Sequence, residues 1–192
     1  MKTLKTIIAI LALSLFTFSC SKNEIPAPAA VAPLQDPLPE FLSVSGLSQK
    51  VSTTDTSIFE QGFSFVPLVA GKMTAIVVNI PAANSSLRVT IWDKASGTAL
   101  LTELVNITAA NVDITKNITP LSLDKDKVYI ISFNSGPTYR RTKSDNSVVL
   151  YPITVGDIKI TAVFIKAGTA QTIPSAASAN VFYGDCSFKF QK

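Results

Sequence analysis

From about Val44 to the C-terminus the chain is a succession of short runs in which apolar and polar residues alternate, each closed by turn residues. Alternation with period two marks a strand with one buried face. It predicts strands over Phe59 to Val66, stopped by Pro67, and over Lys72 to Ile80, stopped by Pro81. Leu87 to Asp93 follows an Ala-Asn-Ser-Ser turn, and Ser96-Gly97 turns the chain into Thr98 to Val105. Val112 to Ile118 is a less regular run, and Asp124-Lys-Asp126 is a polar turn leading into Val128 to Phe133. Further strands are expected at Tyr139 to Thr142, Val148 to Tyr151, Asp157 to Ile165 and Phe182 to Phe190. No segment sustains a helical period, and Ala109 to Asn111 and Ser175 to Ala179 would each make a turn of helix at most. Many short antiparallel strands joined by turns predict an all-β fold: a single antiparallel β-sandwich over residues 44–192. A membrane barrel fits less well, because Arg88, Lys159 and Lys189 alternate with apolar neighbours as on a solvated face.

The last run shows the logic. Phe182, Gly184, Cys186, Phe188 and Phe190 share one face, and Tyr183, Asp185, Ser187, Lys189 and Gln191 share the other. The first set belongs in the core, so Cys186 is expected to be a small buried hydrophobe rather than a reactive thiol.

A different pattern occupies the N-terminus. Lys2 and Lys5 precede an apolar run, Ile7 to Phe18, broken only by Ser14 and Thr17. As a helix these 12 residues would be about 18 Å long, short of a bilayer core of about 30 Å. Phe18-Ser-Cys-Ser21 follows, and it resembles a lipobox, with a small residue ahead of the cysteine. The combination predicts a lipoprotein signal peptide over residues 1–19 and acylation of Cys20. Two or more acyl chains, palmitate among them, would hold the protein on a membrane, at about 0.8 kcal/mol per buried methylene. Ser21 is not the Asp that retains lipoproteins in the inner membrane, so the expected place is the outer membrane of a bacterial envelope, facing the periplasm or the surface. Residues 20–43 read as a tether, holding five of the eleven prolines and favouring extended polyproline backbone.

Charge and composition then narrow the function. Removing the signal segment takes Lys2 and Lys5 with it, so the net charge of +4 falls to +2. That is too little, and too scattered, to argue for nucleic acid as a partner. Once Cys20 carries lipid, Cys186 has no intramolecular disulfide partner, and the fold must rest on its core. The chain has no histidine. Ser-His-Asp and Cys-His catalysis are therefore unavailable, as are the commonest zinc ligands. No cofactor is implied, and no metal site: Lys125 and Lys127 interrupt the Asp124/Asp126 pair, which reads as a plain turn.

Several short motifs in order resemble the DUF4082 family of extracellular β domains. They are Gly62-Phe-Ser-Phe65, Ile91-Trp92 followed by Ser96-Gly97-Thr-Ala-Leu100, Val128-Tyr-Ile-Ile-Ser-Phe133 with Gly136-Pro137 and Tyr139, and near the end Ile173-Pro174 and Phe182-Tyr183. The resemblance spans roughly residues 59–190. The signal and tether are similar to those of small surface lipoproteins of Bacteroidota. The resemblance implies a jelly-roll-like sandwich related to carbohydrate-binding modules, and no reaction. The family's histidines and a Tyr-Lys pair after the second strand are missing from this chain.

The candidate binding residues are Trp92, Tyr139, Arg140 and Arg141. Trp92 is the sole tryptophan. Alternation places it with Arg88 and Thr90 on the face opposite Leu87, Val89 and Ile91, where an indole could stack on a sugar; packing against a loop or the sandwich end is the alternative. Tyr139-Arg140-Arg141 follows the Gly136-Pro137 turn, and an aromatic with two guanidiniums suits an anionic glycan or a carboxylate; a solvated loop edge is the alternative. Together these observations point to a non-enzymatic envelope protein that binds a glycan or a protein partner, or else to an accessory subunit of an outer-membrane complex without a small ligand. A hydrolase is the least supported class, since acid–base residues are sparse.

Overall fold

The structure, a computed structural model, describes residues 32–53 and 56–192. The expected signal segment 1–19, Cys20 and the expected tether as far as residue 31 lie outside the described residues.

The chain departs from the expected extended tether at Gln35. The Gln35 amide donates to the Phe190 carbonyl (2.8 Å) and the Phe190 amide donates back (2.9 Å). A helix, α1, then runs over Pro37–Ser45. Asp36 caps it, its Oδ1 accepting from the Leu38 amide at 3.3 Å, and Pro37 occupies the first turn, where a missing N–H costs nothing. Gly46, at φ 72°, ends it in the left-handed region. Leu38, Phe41 and Ser45 are buried and Leu42 packs against the core, so the i, i+3, i+4, i+7 positions form one apolar stripe. The two prolines bracketing Leu38 suggest polyproline backbone; in fact they open a helix whose stability comes from tertiary packing.

Thirteen strands follow among the described residues. They are β1 (Gln49–Thr53), β2 (Phe59–Pro67), β3 (Gly71–Asn79), β4 (Asn84–Asp93), β5 (Ala99–Ile107), β6 (Ile114–Leu123), β7 (Tyr129–Ser135), β8 (Thr138–Thr142), β9 (Ile153–Val155), β10 (Ile158–Ala167), β11 (Ala176–Ser178), β12 (Phe182–Tyr183) and β13 (Asp185–Gln191). All the pairings are antiparallel. One sheet has the order β11-β10-β2-β7-β4-β5, with β9 also on β10. Two three-stranded sheets, β13-β3-β6 and β1-β8-β12, make up the rest.

The all-β sandwich expected from alternation is what the chain forms. Phe63, Phe65, Val89, Ile91, Tyr129, Ile131 and Phe133 line the inner face of the large sheet. Phe65 meets Phe188 of β13 at 4.5 Å between ring centroids, and Phe63 meets Phe182 of β12 at 5.9 Å. The last run keeps its assigned phase: Phe182, Cys186, Phe188 and Phe190 are all in the core, with Cys186 at 2% exposure. It is not one strand, because Gly184 (φ 71°) interrupts it; a Cβ there would lie 2.1 Å from Phe133 Cζ. That kink hands the chain from one small sheet to the other.

Two further expectations fail. Val148 to Tyr151 is irregular, although Val149 is buried and its amide bonds the Ala179 carbonyl at 2.7 Å. Alternation of burial there reflects packing of a loop, which period two does not distinguish from a ladder. Ser175 to Ala179, expected to be helical at most, contains β11. Strand β1 was not anticipated, because Gln49–Thr53 is almost wholly exposed and carries no apolar period.

Candidate functional site

Strand β8 decides the fate of the Tyr-Arg-Arg triplet. Expected in a loop edge or a short strand, it is a strand, so successive side chains point to opposite faces. Tyr139 and Arg141 point one way. Tyr139 is buried, at 4% exposure, donates its hydroxyl to Asn111 Oδ1 and lies beneath Lys50 Nζ, 3.6 Å from the ring centroid. Burial, then the charge of Asp185, push its phenol above the ordinary value. Arg141 grips Asp185 through Nε and Nη2, both at 2.6 Å, while Lys50 Nζ stands 3.3 Å from the same carboxylate. Arg141 is therefore committed to holding β8 against β13, and Tyr139 to the β5–β6 connection through Asn111. They are not available as ligand contacts, which corrects that part of the sequence reading.

Arg140 points the other way. In register it stands opposite Val51 of β1 and Tyr183 of β12. Its guanidinium lies 5.8 Å from the Tyr183 ring centroid. Unlike Arg141, it has no ion pair among the described residues.

Trp92 is the second correction. It lies on the outer face of the large sheet, as alternation requires, but at 4% exposure it offers no stacking surface. Its Nε1 donates to Ser132 Oγ at 2.8 Å, and Ser132 Oγ donates to Glu60 Oε1 at 2.5 Å. Arg88 Nη2 pairs with Glu60 Oε2 at 2.8 Å. The segment after β10 crosses this face. The Thr169 carbonyl accepts from Arg88 at 3.0 Å, the Gly168 carbonyl accepts from Asn134 at 3.0 Å, and Gln171 donates to Thr102 at 2.6 Å. A strap thus covers what alternation alone presents as a solvated face. Trp92 and Tyr139 belong to different sheets and share no described pocket.

What the fold does open is a groove where β8 and β12 part from the ends of β2 and β10. Thr53, Phe59, Gln61, Gly136, Thr138, Arg140, Ile165 and Tyr183 line a cavity of about 220 Å³. Phe59 faces Ser135 on one neighbour and Ala167 on the other, so the groove sits at one end of the large sheet. The β7–β8 turn at Gly136 is shared with a shallower cleft of about 550 Å³ beside Asn84, Ser86, Asn134 and Pro137. On its far side Thr53 and Arg140 continue into a further recess of about 190 Å³ with Val51 and Thr142.

Gln61 is the unusual member. It occupies an inward position of β2 between Phe59 and Phe63, it is 0% exposed, and its Oε1 has no hydrogen-bond partner among the described residues. Its Nε2 reaches only the Ser135 carbonyl, at 3.4 Å. An orphaned buried acceptor is costly, by about 1–3 kcal/mol, and marks a place where a ligand group or water completes the bonding. Gln61, Thr53, Thr138 and Tyr183 were missed by sequence reasoning. The available signal was a glutamine at a core phase in a phenylalanine-rich strand.

A second cleft of about 320 Å³ lies under α1, lined by Asp36, Lys50, Asp113, Arg141 and Asp185 among others. Most of its charges are already paired: Asp36 accepts from Ser187 and Lys189 at 2.8 and 2.9 Å, and Asp185 holds Arg141. The Asp124–Asp126 segment is a turn, with Asp126 at φ 61°. No helix among the described residues is long and apolar enough to cross a membrane. Compared with known proteins, the chain matches no family model and no curated protein.

Proposed function

We propose that the protein is a lipid-anchored binding module of a bacterial envelope that recognises a glycan through the groove beside the β7–β8 turn and catalyses no reaction. The observation that carries this reading is the groove itself. It sets an aromatic wall, Phe59 and Tyr183, beside two threonine hydroxyls, a buried amide oxygen and a guanidinium, of which the amide oxygen has no hydrogen-bond partner and the guanidinium no ion pair among the described residues. A few convergent polar groups on an apolar, preformed surface are what a small-ligand site requires. The cleft at Asn84 and Asn134 shares Gly136 with it and adds room for more than one ring.

The membrane half of the reading rests on Lys2, Lys5, the Ile7 to Phe18 run and Cys20, with the outer membrane as the expected site. The resemblance to DUF4082 and to carbohydrate-binding modules belongs to the same proposal and points the same way. Full-length protein in detergent should bind a subset of a glycan array, and Tyr183→Ala should abolish that binding, with circular dichroism confirming that the variant is folded. An array on which the wild type binds nothing overturns the glycan reading.

One observation favours a second reading, a protein partner of the envelope. Strand β1 is paired on one side only among the described residues, and Val51 on it is exposed. An unpaired edge can accept an added strand.

A further inference from the structure

We infer that the groove reads an acidic sugar, taking the carboxylate of a uronic-acid-type residue on Arg140 and a ring hydroxyl on Gln61. The inference rests on the glycan reading above and names the class of glycan. Three features carry it.

First, β8 gives two adjacent arginines opposite fates. Arg141 is neutralised by a bidentate contact to Asp185 at 2.6 Å, whereas Arg140 lines the groove without an ion pair among the described residues. A guanidinium presents a planar fork that matches a carboxylate, and it cannot be deprotonated, so an unpaired one at a cavity wall favours an anion. Second, the described lining residues include no aspartate or glutamate, so none of them competes for Arg140 or repels an incoming carboxylate. Third, Gln61 supplies a buried acceptor, Oε1, that none of the described residues satisfies. An acceptor needs a donor, and a carboxylate alone has none; a sugar acid brings both, with a carboxylate for Arg140 and hydroxyls for Gln61. A cavity of about 220 Å³ lies below the ~300–1,000 Å³ of sites for drug-sized ligands and suits one ring. A fatty acid or a bare inorganic anion would answer Arg140 and leave Gln61 orphaned.

The test is calorimetry on full-length protein in detergent with matched oligosaccharides, neutral and bearing one uronic acid, and with an acidic peptide. The acidic sugar should bind about tenfold or more tightly than its neutral match, the worth of one charge-assisted hydrogen bond. Arg140→Gln, at an exposed position, should erase that preference. Gln61→Leu should weaken both sugars, with circular dichroism confirming the fold. Equal binding of neutral and acidic sugars, or unchanged preference in Arg140→Gln, overturns the inference while leaving the glycan reading intact. An acidic peptide binding as tightly as the acidic sugar also overturns it. No binding of either sugar overturns both.

Discussion

Phe41→Ala tests whether the proline-rich segment ends where the sandwich begins. Phe41 is 0% exposed, and its ring lies 5.3 Å from Phe182 and 6.2 Å from Tyr151, centroid to centroid. A buried Phe covers roughly 150–250 Å², which at about 25 cal/mol per Å² is roughly 4–6 kcal/mol for the whole residue. Alanine keeps a fraction of that, and measured Phe→Ala losses run at about 3–5 kcal/mol. At about 2–4 °C per kcal/mol for a domain of this size, the melting temperature should fall by roughly 6–20 °C. Urea unfolding should give the same loss as a lower midpoint with an unchanged slope. Val44→Ala on the same helix is the control: Val44 is 62% exposed, so the change should stay within about 0.5 kcal/mol. A Phe41→Ala loss below about 1 kcal/mol would refute the docking of α1 and return residues 35–45 to the tether.

Three other outcomes follow from the same packing. Thiol reagents should label Cys186 only after denaturation in a Cys20→Ala background, and raising the pH to 9 should not change this, because burial, then Glu60 and Asp185, push its pKa far up. Since the folded pKa exceeds the unfolded one, the contribution is present below about pH 8.5 and is lost above it, by at most about 1.4 kcal/mol per pH unit; Cys186→Ala should flatten that decline. Asp185→Ala should cost about 3–5 kcal/mol, since it strands Arg141 and Lys50 near a buried position; a loss within 0.5 kcal/mol, roughly the scatter of neutral surface changes, would contradict the anchoring role of that pair. Fluorescence from Trp92 should be blue-shifted and resist acrylamide, since the indole is buried and bonded to Ser132; quenching like that of free indole would place it in solvent.

Much of the sandwich was legible because period-two alternation survives wherever one face is buried and the other is wet. Strands β3 and β10 met that condition, while β2, β4, β7 and β13 kept enough alternation in sequence although both of their faces are largely covered. Strand β1 did not, since neither face is buried, and α1 did not, since its short apolar stripe is interleaved with prolines. The site was less legible for a related reason. Alternation assigns a face, and it says nothing of what covers that face. Trp92 was placed on the correct side of β4, but the strap from Gly168 to Gln171 lies over the sheet there and only tertiary structure reveals it. In the Tyr139-Arg140-Arg141 triplet the composition drew notice correctly, while a strand geometry split it, spending two members on structure and leaving Arg140 in the groove. Gln61 carries the groove's orphaned acceptor, and its signal was a polar residue at an inward phase, easily passed over inside an apolar run.

The central claim is that the groove at the β7–β8 turn is where ligand binds. Hydrogen–deuterium exchange on full-length protein in detergent, with and without a saturating acidic oligosaccharide, tests it most directly. Slowed exchange should concentrate in the peptides containing Phe59 to Gln61, Gly136 to Arg140 and Phe182-Tyr183, with the strap and β6 unchanged. Protection confined to the cleft under α1 or to the strap over Arg88 and Thr90, with the β7–β8 turn exchanging as before, would contradict it.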